Sequence, residues 1–469
     1  MTPLWTGKDI AAATDGILHG DFAVHGVTFD SREVVGGELF IALRGDTTDG
    51  HRFLDTARER GAAGLLVAQN TKGPHVRVAD TMVALRALAG AARERSPALR
   101  IGVTGSVGKT GTKEALAKAL ARFAPDAVHA SVKSYNNHTG VPLSLARMPA
   151  DTRLGVFEMG MNHAGELTDL SALVQPDIAI VTWVASAHRE FFDSEADIAR
   201  AKAEIWSGLK PGGTAIWPLD NPHRDILRAA AQAATAQGGR AISFGFDPSA
   251  DVHAERFVLH PDHSEVTARI GTERLSYRIG MAGRHWVSNS LAVLAAVQAA
   301  GADLAQAGLA LAELSDLPGR GKRLRVTAGT GEAIIIDESY NANPASMAAS
   351  LAVLGDINPQ GRGRRLAVLG DMRELGALSG QFHADLAPYV EASGLNTLIL
   401  VGNEMKALAA RLGRALEVHH VADATAALRT LDDLLDADDV LLIKGSNSLG
   451  LGAVVAALAA RTGAPERHP

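Results

Sequence analysis

Seven consecutive residues of this chain have the types and order of a phosphate-binding loop: Thr104, Gly105, Ser106, Val107, Gly108, Lys109 and Thr110. Glycines let backbone N–H groups approach anionic oxygens, a lysine reaches the terminal phosphates, and a hydroxyl group binds Mg²⁺. The general form of this loop has a glycine where this chain has Val103. An ordinary strand-to-helix turn is the alternative interpretation.

The residues on either side of the loop favour nucleotide binding. Ile101 and Val103 lie in an apolar run typical of a buried strand, and an Ala/Leu-rich helical pattern follows from Glu114 to Phe123. A strand, a glycine-rich turn and a helix N-terminus together form a site for phosphate, because the helix dipole favours negative charge there. We therefore expect a nucleotide as a ligand.

Composition narrows the class of protein. The chain has 469 residues, enough for about three domains, and 46% of them are hydrophobic. The net charge of −6 includes no basic stripe, which argues against nucleic acid as a partner. Cysteine is absent, which excludes disulfides and thiol catalysis. We expect a cytoplasmic protein with no integral membrane segment and no signal peptide, because no apolar run reaches spanning length.

Strands alternating with helices predict an α/β protein with three domains. Residues 1–97 form a small mixed α/β domain, with strands predicted at 39–42 and 64–67 and a helix at 81–95. Residues 98–316 form a central parallel-sheet domain with an antiparallel patch near 241–281 and helices at 196–209 and 288–300. Residues 317–469 form a Rossmann-like domain that begins with a linker at 317–323.

Polar residues follow several predicted strands, at the end where open α/β sheets bind ligands. Glu158 follows one strand and suits Mg²⁺, directly or through water. His188 follows the next and could ligate a second metal or contact phosphate, or be structural. Asp337 could bind ribose hydroxyls or form a turn. Lys202, taken alone, is predicted to be an exposed helical lysine paired with nearby acids.

Together these residues resemble the Mur ligase family of ATP-dependent ligases in peptidoglycan precursor synthesis, over nearly the whole chain. The short loop Thr104–Thr110 is the family form. Further family-like motifs are Asn136-Asn137-x-x-Gly140-x-Pro142, Glu158-x-Gly160, Ala187-His188-x-Glu190 and Ala201-Lys202-x-Glu204-Ile205.

Within the family, three segments favour the activity that adds D-alanyl-D-alanine to UDP-N-acetylmuramoyl-tripeptide. They are Asp30-Ser31-Arg32 with the loop 45–51, the run from Asp337 to Pro344, and the run from Leu369 to Gly376. The alternatives are a sister ligase that adds a single amino acid, a folylpolyglutamate-type ligase, and an ATP-binding regulator without ligase activity.

The resemblance implies a role for each site residue. Lys109, His188 and Lys202 would be catalytic, and Thr110, Glu158, His188 and a carbamate on Lys202 would hold Mg²⁺. Asn289, Arg320 and Asp337 would contact ATP together with the loop 104–110. Ser31 and Arg32 in the N-terminal domain would bind the UDP part of the substrate, and Asn136 and Asn137 its muramoyl-peptide part. We also expect a monomer.

Two positions depart from the family pattern. The family often has His-Asn-x-x-Asn where this chain has His285-Trp286-Val287-Ser288-Asn289, so Trp286 replaces an asparagine expected to contact adenine. The family Lys-Gly-Ser-Arg is Lys444-Gly445-Ser446-Asn447 here, so any role of that arginine must be filled by another group.

Overall fold

The computed structural model describes residues 2–45, 48–187, 189–315 and 319–461. Three main sheets follow one another along these residues. None of the helices in the described ranges is long and apolar enough to cross a membrane. The alternation of strands and helices confirms the predicted α/β class, whereas the domain boundaries at 97 and 316 stay predictions.

The first sheet has five strands in the order β2-β7-β6-β5-β4, and β2 alone is antiparallel to its neighbour. The predicted elements at 39–42, 64–67 and 81–95 are confirmed as β5, β6 and α3. The elements of this region are β1 (Trp5–Thr6), α1 (Gly7–Thr14), β2 (Ile17–His19), β3 (Ala23–Val24), β4 (Gly26–Thr28), β5 (Glu38–Ile41), α2 (Leu54–Glu59), β6 (Gly64–Val67), β7 (His75–Arg77) and α3 (Thr81–Arg95).

The second sheet has nine strands in the order β16-β15-β14-β13-β12-β11-β8-β10-β9. Its elements are β8 (Leu99–Thr104), α4 (Lys109–Phe123), β9 (Val128–Ala130), α5 (Gly140–Ala146), β10 (Leu154–Glu158), α6 (Glu166–Val174), β11 (Ile178–Val181), α7 (Glu195–Ala203), β12 (Thr214–Pro218), α8 (Arg224–Ala234), β13 (Arg240–Gly245), β14 (Val252–Leu259), β15 (Ser264–Ile270), β16 (Glu273–Ile279), α9 (Arg284–Ala299) and α10 (Leu304–Ala312).

This sheet is parallel from β9 to β14 and antiparallel from β14 to β16. The predicted antiparallel patch is therefore confirmed but begins later, because β13 pairs parallel with β12. The α-helix predicted at 196–209 ends at Ala203, and a 3-10 turn over Glu204–Trp206 follows. The helix predicted at 288–300 begins earlier, at Arg284.

The third sheet has six strands in the order β17-β18-β22-β19-β20-β21 and is parallel except for the β17–β18 pair. Its elements are β17 (Lys322–Ala328), β18 (Gly331–Glu338), α11 (Pro344–Gly355), β19 (Arg365–Gly370), α12 (Ser379–Ala384), α13 (Ala387–Ala392), β20 (Thr397–Val401), α14 (Lys406–Ala409), β21 (Glu417–Val421), α15 (Ala424–Leu434), β22 (Val440–Lys444) and α16 (Leu451–Ala459).

Part of the predicted linker belongs to this third sheet. Lys322 and Arg323 begin β17, where Lys322 pairs with Asp337 of β18. Backbone pairing with β18 overrides the polar composition of these two residues. Of the rest of the predicted linker, residues 317 and 318 lie outside the described residues, so the described part of the loop is Gly319 to Gly321.

Buried side chains cover both faces of the second and third sheets. On the second sheet, α4, α9 and α10 pack on one face and α6, α7 and α8 on the other. On the third sheet, α11 and α13 pack on one face and α15 and α16 on the other. Helices on both faces leave the carboxyl ends of the strands as the edge at which side chains can meet a ligand.

Candidate active site

The loop 104–110 connects β8 to α4 as predicted, and its backbone needs glycine at two places. Gly108 has φ +85° and is the residue before α4. A Cβ on Gly105 would lie 2.0 Å from the Thr182 hydroxyl. Left-handed backbone and close approach are both conditions that glycine meets without steric cost. The glycine-rich loop therefore leads directly into the N-terminus of α4, the arrangement typical of an anion site.

Hydrogen bonds from the end of β11 hold this loop in place. The Thr182 hydroxyl donates to the backbone oxygens of Val107, at 2.6 Å, and Thr104, at 3.1 Å. The Ser106 hydroxyl donates to Ala185 O at 2.9 Å and accepts from Ala185 N at 3.1 Å. Ser106 therefore fastens the loop to the segment after β11 through its side chain.

Lys109 lies at the first position of α4, and its Nζ donates to Gly105 O at 2.6 Å. Burial lowers the pKa of Lys109, the nearby Arg320 lowers it further, and Glu158 and Glu374 act in the opposite direction. The ammonium group is thus held against the loop at the place where phosphate oxygens would lie.

Thr110 and Glu158 form a buried cluster of oxygen atoms. The Thr110 hydroxyl donates to Glu158 Oε2 at 2.7 Å, and Asn136 Nδ2 donates to Glu158 Oε1 at 2.7 Å. Glu158 is 1% exposed. A hydroxyl and a carboxylate side by side are hard oxygen ligands of the kind that Mg²⁺ prefers. These residues therefore fit a magnesium ion at this position.

The prediction that Lys202 is exposed is wrong. Lys202 lies on α7 with no exposed surface, and its Nζ has no hydrogen-bond partner among the described residues. Burial lowers the pKa of Lys202 far below its usual range, and the positive charge of Lys109 lowers it further. The burial of this turn of α7 was not visible in the spacing, and it makes Lys202 a buried amine whose charge interacts with that of Lys109.

His188 lies outside the described residues, so its predicted metal role stays a prediction. On either side of it the chain contacts the site and the third sheet. Ala187 lines the cavity described below, and Glu190 N donates to Glu374 O at 3.1 Å. Glu374 has φ +62° and belongs to the 369–376 segment. The motif that contains Glu190 and the 369–376 segment are therefore in direct contact, although they are far apart in sequence.

A cavity of about 820 Å³ lies between the phosphate-binding loop and the third sheet. This volume is within the range of small-molecule sites, about 300–1,000 Å³. Residues from both regions line it, and the following are among them: Lys109, Thr110, Asn136, Glu158, Trp286, Asn289, Arg320, Tyr340, Arg373 and Asn447.

Trp286 and Asn289 of α9 pack against the loop itself. A Cβ on Gly108 would lie 2.7 Å from Asn289 Oδ1, and a Cβ on Gly111 would lie 2.9 Å from the Trp286 ring. The tryptophan at the variant position is thus packed against the first turn of α4 while it lines the cavity. The requirement for glycine at position 111 was missed, because only the fold brings α9 to α4.

Arg320 connects the two sides of the cavity. Its guanidinium stacks over the Tyr340 ring, with Cζ 4.3 Å from the centroid, and Nη2 donates to the Ser134 hydroxyl at 3.3 Å. Asp337 lies behind this wall, and its carboxylate accepts from Gly319 N at 2.8 Å and from the Ser339 hydroxyl at 2.6 Å. In this structure Asp337 holds the turn that carries Arg320, and its contact with ATP stays a prediction.

The end of β22 brings further polar groups to the cavity. Lys444 is 2% exposed, and its Nζ donates to Asn341 O at 3.0 Å and to Glu338 Oε2 at 3.4 Å. Burial lowers the pKa of Lys444. Arg373, which the sequence analysis missed, lines the same cavity as Asn447, and its backbone N donates to the Ser446 hydroxyl at 2.9 Å. Arg373 is therefore a cation near the position where the family arginine is lacking.

Three predicted substrate residues are not among those lining this cavity. Arg32 is exposed and makes a bidentate pair with Asp30, with Nη2–Oδ2 at 2.7 Å. Ser31 is buried in a 3-10 turn beside it. Asn137 accepts from Gly140 N at 2.9 Å, which orders the start of α5. Their substrate contacts stay predictions, and for Asn137 the structure shows a structural role.

Comparison with known protein families matches most of the chain to Mur ligase domains. Residues 103–297 match the Mur ligase middle domain, residues 322–447 the "Mur ligase, glutamate ligase domain", and residues 23–123 the "Mur ligase family, catalytic domain". The middle-domain match begins at the phosphate-binding loop, and the second begins at β17.

Individual relatives agree over nearly the full length. UDP-N-acetylmuramoyl-tripeptide--D-alanyl-D-alanine ligase of Escherichia coli K12 is 34% identical over 95% of this chain and 96% of its own. Crystal structure I of MurF from Acinetobacter baumannii has TM-score 0.83 and 30% identity over 98% of this chain and 99% of its own. MurF ligase from Thermotoga maritima in complex with ADP has TM-score 0.75 and 25% identity over 93% and 97%. The chain has the phosphate-binding loop, a site at the carboxyl ends of its parallel strands, and similarity to these relatives over nearly its full length; it belongs to the Mur ligase family.

Proposed function

We propose that this chain is an ATP-dependent ligase that joins D-alanyl-D-alanine to UDP-N-acetylmuramoyl-tripeptide, giving the pentapeptide, ADP and phosphate. The observation that carries the proposal is the cavity in which Lys109, Thr110 and Glu158 meet Arg320 and Arg373 of the following region. Full-length relatives with this printed activity support the choice of substrates. Because ATP and UDP-linked precursors are intracellular metabolites, we place the reaction in the cytoplasm.

In the first step, a carboxylate oxygen of the tripeptide attacks the γ-phosphorus of ATP and ADP leaves, which gives an acyl phosphate. The backbone N–H groups at the start of α4 bind the phosphates, and Lys109 neutralises charge on the transferring group. Thr110 and Glu158 would hold Mg²⁺, which supplies charge neutralisation on the phosphate oxygens when bound. Arg320 closes the cavity from the opposite side.

In the second step, the dipeptide amine attacks the acyl carbon, the amine proton leaves, and phosphate departs from a tetrahedral intermediate. Arg373 is placed to bind the departing phosphate or the dipeptide carboxylate, the role that the family arginine would otherwise fill. We expect the walls of the cavity to shield the acyl phosphate from hydrolysis once the substrates fill it.

Lys202 fits a carbamate because its amine is buried, has no hydrogen-bond partner among the described residues, and is disfavoured as a cation by burial and by the charge of Lys109. A neutral amine adds to CO₂ with loss of one proton, and the product is an anion that can bind a metal. His188 is the proposed partner of this carbamate. The burial of Lys202 and its missing partner support this assignment.

The deciding experiment measures ADP and phosphate release with UDP-N-acetylmuramoyl-tripeptide, ATP and Mg²⁺, with either D-alanyl-D-alanine or single amino acids added. We expect release that requires the dipeptide and is lost in Lys109→Met. Release with a single amino acid instead would identify a sister ligase. ATP binding with no release under any condition would identify a regulator without ligase activity.

A further inference from the structure

A cluster of two histidines and a glutamate lies on the hairpin between β14 and β15. His260 N donates to His263 O at 2.9 Å, which closes the turn. The two imidazole rings stack with centroids 4.2 Å apart and 9° between their planes. Glu265, on β15, approaches both rings, and one ligand atom from each residue lies within 4.8 Å of the others.

The histidine nitrogens of this cluster are too far from the Glu265 oxygens for direct hydrogen bonds. His260 Nε2 and His263 Nε2 each lie 4.0 Å from an oxygen of Glu265. Ligand atoms bound at about 2.0–2.1 Å to one tetrahedral zinc ion are about 3.3 Å apart. The three side chains are partly exposed, so we expect them to be able to rotate to that spacing around a bound ion.

The nitrogen of His260 that faces the cluster has no partner. His260 Nε2 is inaccessible to water and makes no hydrogen bond to any described residue. A buried polar atom without a partner is uncommon and is explained by a bound water or ion. This observation is independent of the spacing of the three residues.

A fourth residue orients one ring for metal binding. Asp262 Oδ1 lies 2.6 Å from His263 Nδ1. With the Nδ1 proton donated to this carboxylate, the Nε2 lone pair of His263 is free on the side of Glu265. A carboxylate on the far nitrogen of a ligating histidine is the usual outer partner of a metal site.

We propose that His260, His263 and Glu265 form a binding site for a divalent transition-metal ion, with Zn²⁺ as the best fit. Two imidazoles and a carboxylate suit zinc and its neighbours and do not suit Mg²⁺, which prefers oxygen. The site is separate in its residues and in its ligand chemistry from the Thr110 and Glu158 cluster. The same hairpin touches the third sheet, because Arg323 Nη2 of β17 donates to Pro261 O.

The test is calorimetric titration of the metal-stripped full chain with Zn²⁺ in excess Mg²⁺, which occupies oxygen-ligand sites. We expect one zinc bound per chain beyond the number bound by the double variant His260→Ala/His263→Ala. Asp262→Asn is expected to weaken that binding about 10- to 100-fold, as loss of an outer-shell carboxylate does. Circular dichroism of each variant without metal checks that the fold is unchanged.

His19→Ala is the matched control, because His19 is exposed and stacks on His75 with centroids 4.4 Å apart. It should bind zinc as the wild type does. Equal zinc binding by the wild type and the double variant would overturn the proposal. Unchanged affinity in Asp262→Asn would overturn the orienting role of that carboxylate.

Discussion

At the scale of single residues, the site depends on two lysines whose pKa values are lowered mainly by burial. Lys109 keeps a hydrogen bond to Gly105 O, whereas Lys202 has no partner among the described residues. A charged amine without a partner is costly to bury, so burial lowers the pKa of Lys202 and favours its neutral form. A neutral amine is the form that reacts with CO₂.

This burial predicts the sign of a stability change. The pKa of Lys202 is lowered in the folded chain, so the unfolded chain binds more protons, and the free energy of unfolding rises with pH towards about 10.4. In CO₂-free buffer at pH 7, Lys202→Met should therefore be more stable than wild type by about 1–3 kcal/mol. Its advantage should shrink as pH approaches 10.

Urea unfolding at pH 7 and pH 9.5 measures this difference. Lys210→Met is the control, because Lys210 is partly exposed and pairs with Asp177 at 2.9 Å. It should show little gain at either pH. A Lys202→Met variant less stable than wild type at pH 7 would contradict the argument.

At the scale of elements, hydrogen bonds that cap helix N-termini stabilise the fold, and one of these caps lies at the cavity. Asp80 caps α3 by accepting from Met82 N at 2.7 Å and Val83 N at 3.0 Å. Asn343 caps α11 by accepting from Ser346 N at 2.9 Å, and Asn343 N donates in turn to the Ser346 hydroxyl at 3.0 Å. Of these two helices, α11 borders the cavity, through Asn343 and Ser346 among others, and α3 does not.

These two caps form a matched pair of variants. Asp80→Ala and Asn343→Ala should each lower the free energy of unfolding by about 1 kcal/mol, the usual value of an N-cap. Only Asn343→Ala should raise the KM for ATP, because fraying of α11 disturbs the cavity wall. Denaturation curves and steady-state kinetics measure both effects. An equal rise in KM for Asp80→Ala would show that stability alone is responsible.

At the scale of the whole molecule, the first and second sheets share a hydrophobic core. Leu143 and Ala146 of α5 pack with core residues of the first sheet. Trp5 is 3% exposed, donates from Nε1 to Ala146 O at 2.9 Å, and lies under the Arg95 guanidinium. The third sheet faces the second across the ligand cavity.

The shared core predicts where a core mutation spreads. Trp5→Ala should cost about 3–5 kcal/mol. It should speed hydrogen exchange in both the first sheet and α5, and leave the third sheet unchanged. Exchange measured by mass spectrometry tests this. Trp5→Phe keeps most of the apolar contact and should show a smaller change. Faster exchange confined to the first sheet would contradict a shared core.

Sequence patterns predicted the buried parallel strands well, because continuous apolar runs are typical of strands covered on both faces. They missed β21, an edge strand with a partly exposed pattern, and β17, whose start is polar. They also predicted an exposed Lys202, because the face of a short helix that meets another element is a tertiary property. The loop 104–110 was predicted in full, because its function needs residues that are adjacent in the chain.

The sequence alone therefore determined the α/β class, the phosphate-binding loop and the resemblance to a ligase family. Each of these depends on local order, in which residue type and spacing carry the information. Only the tertiary structure decided which residues interact: Lys202 with the charge of Lys109, Trp286 with Gly111, and Arg320 with both Ser134 and Tyr340. All of these pairs except Arg320 and Tyr340 are separated by 93 or more residues in the chain. Packing of the sheets therefore sets their distances.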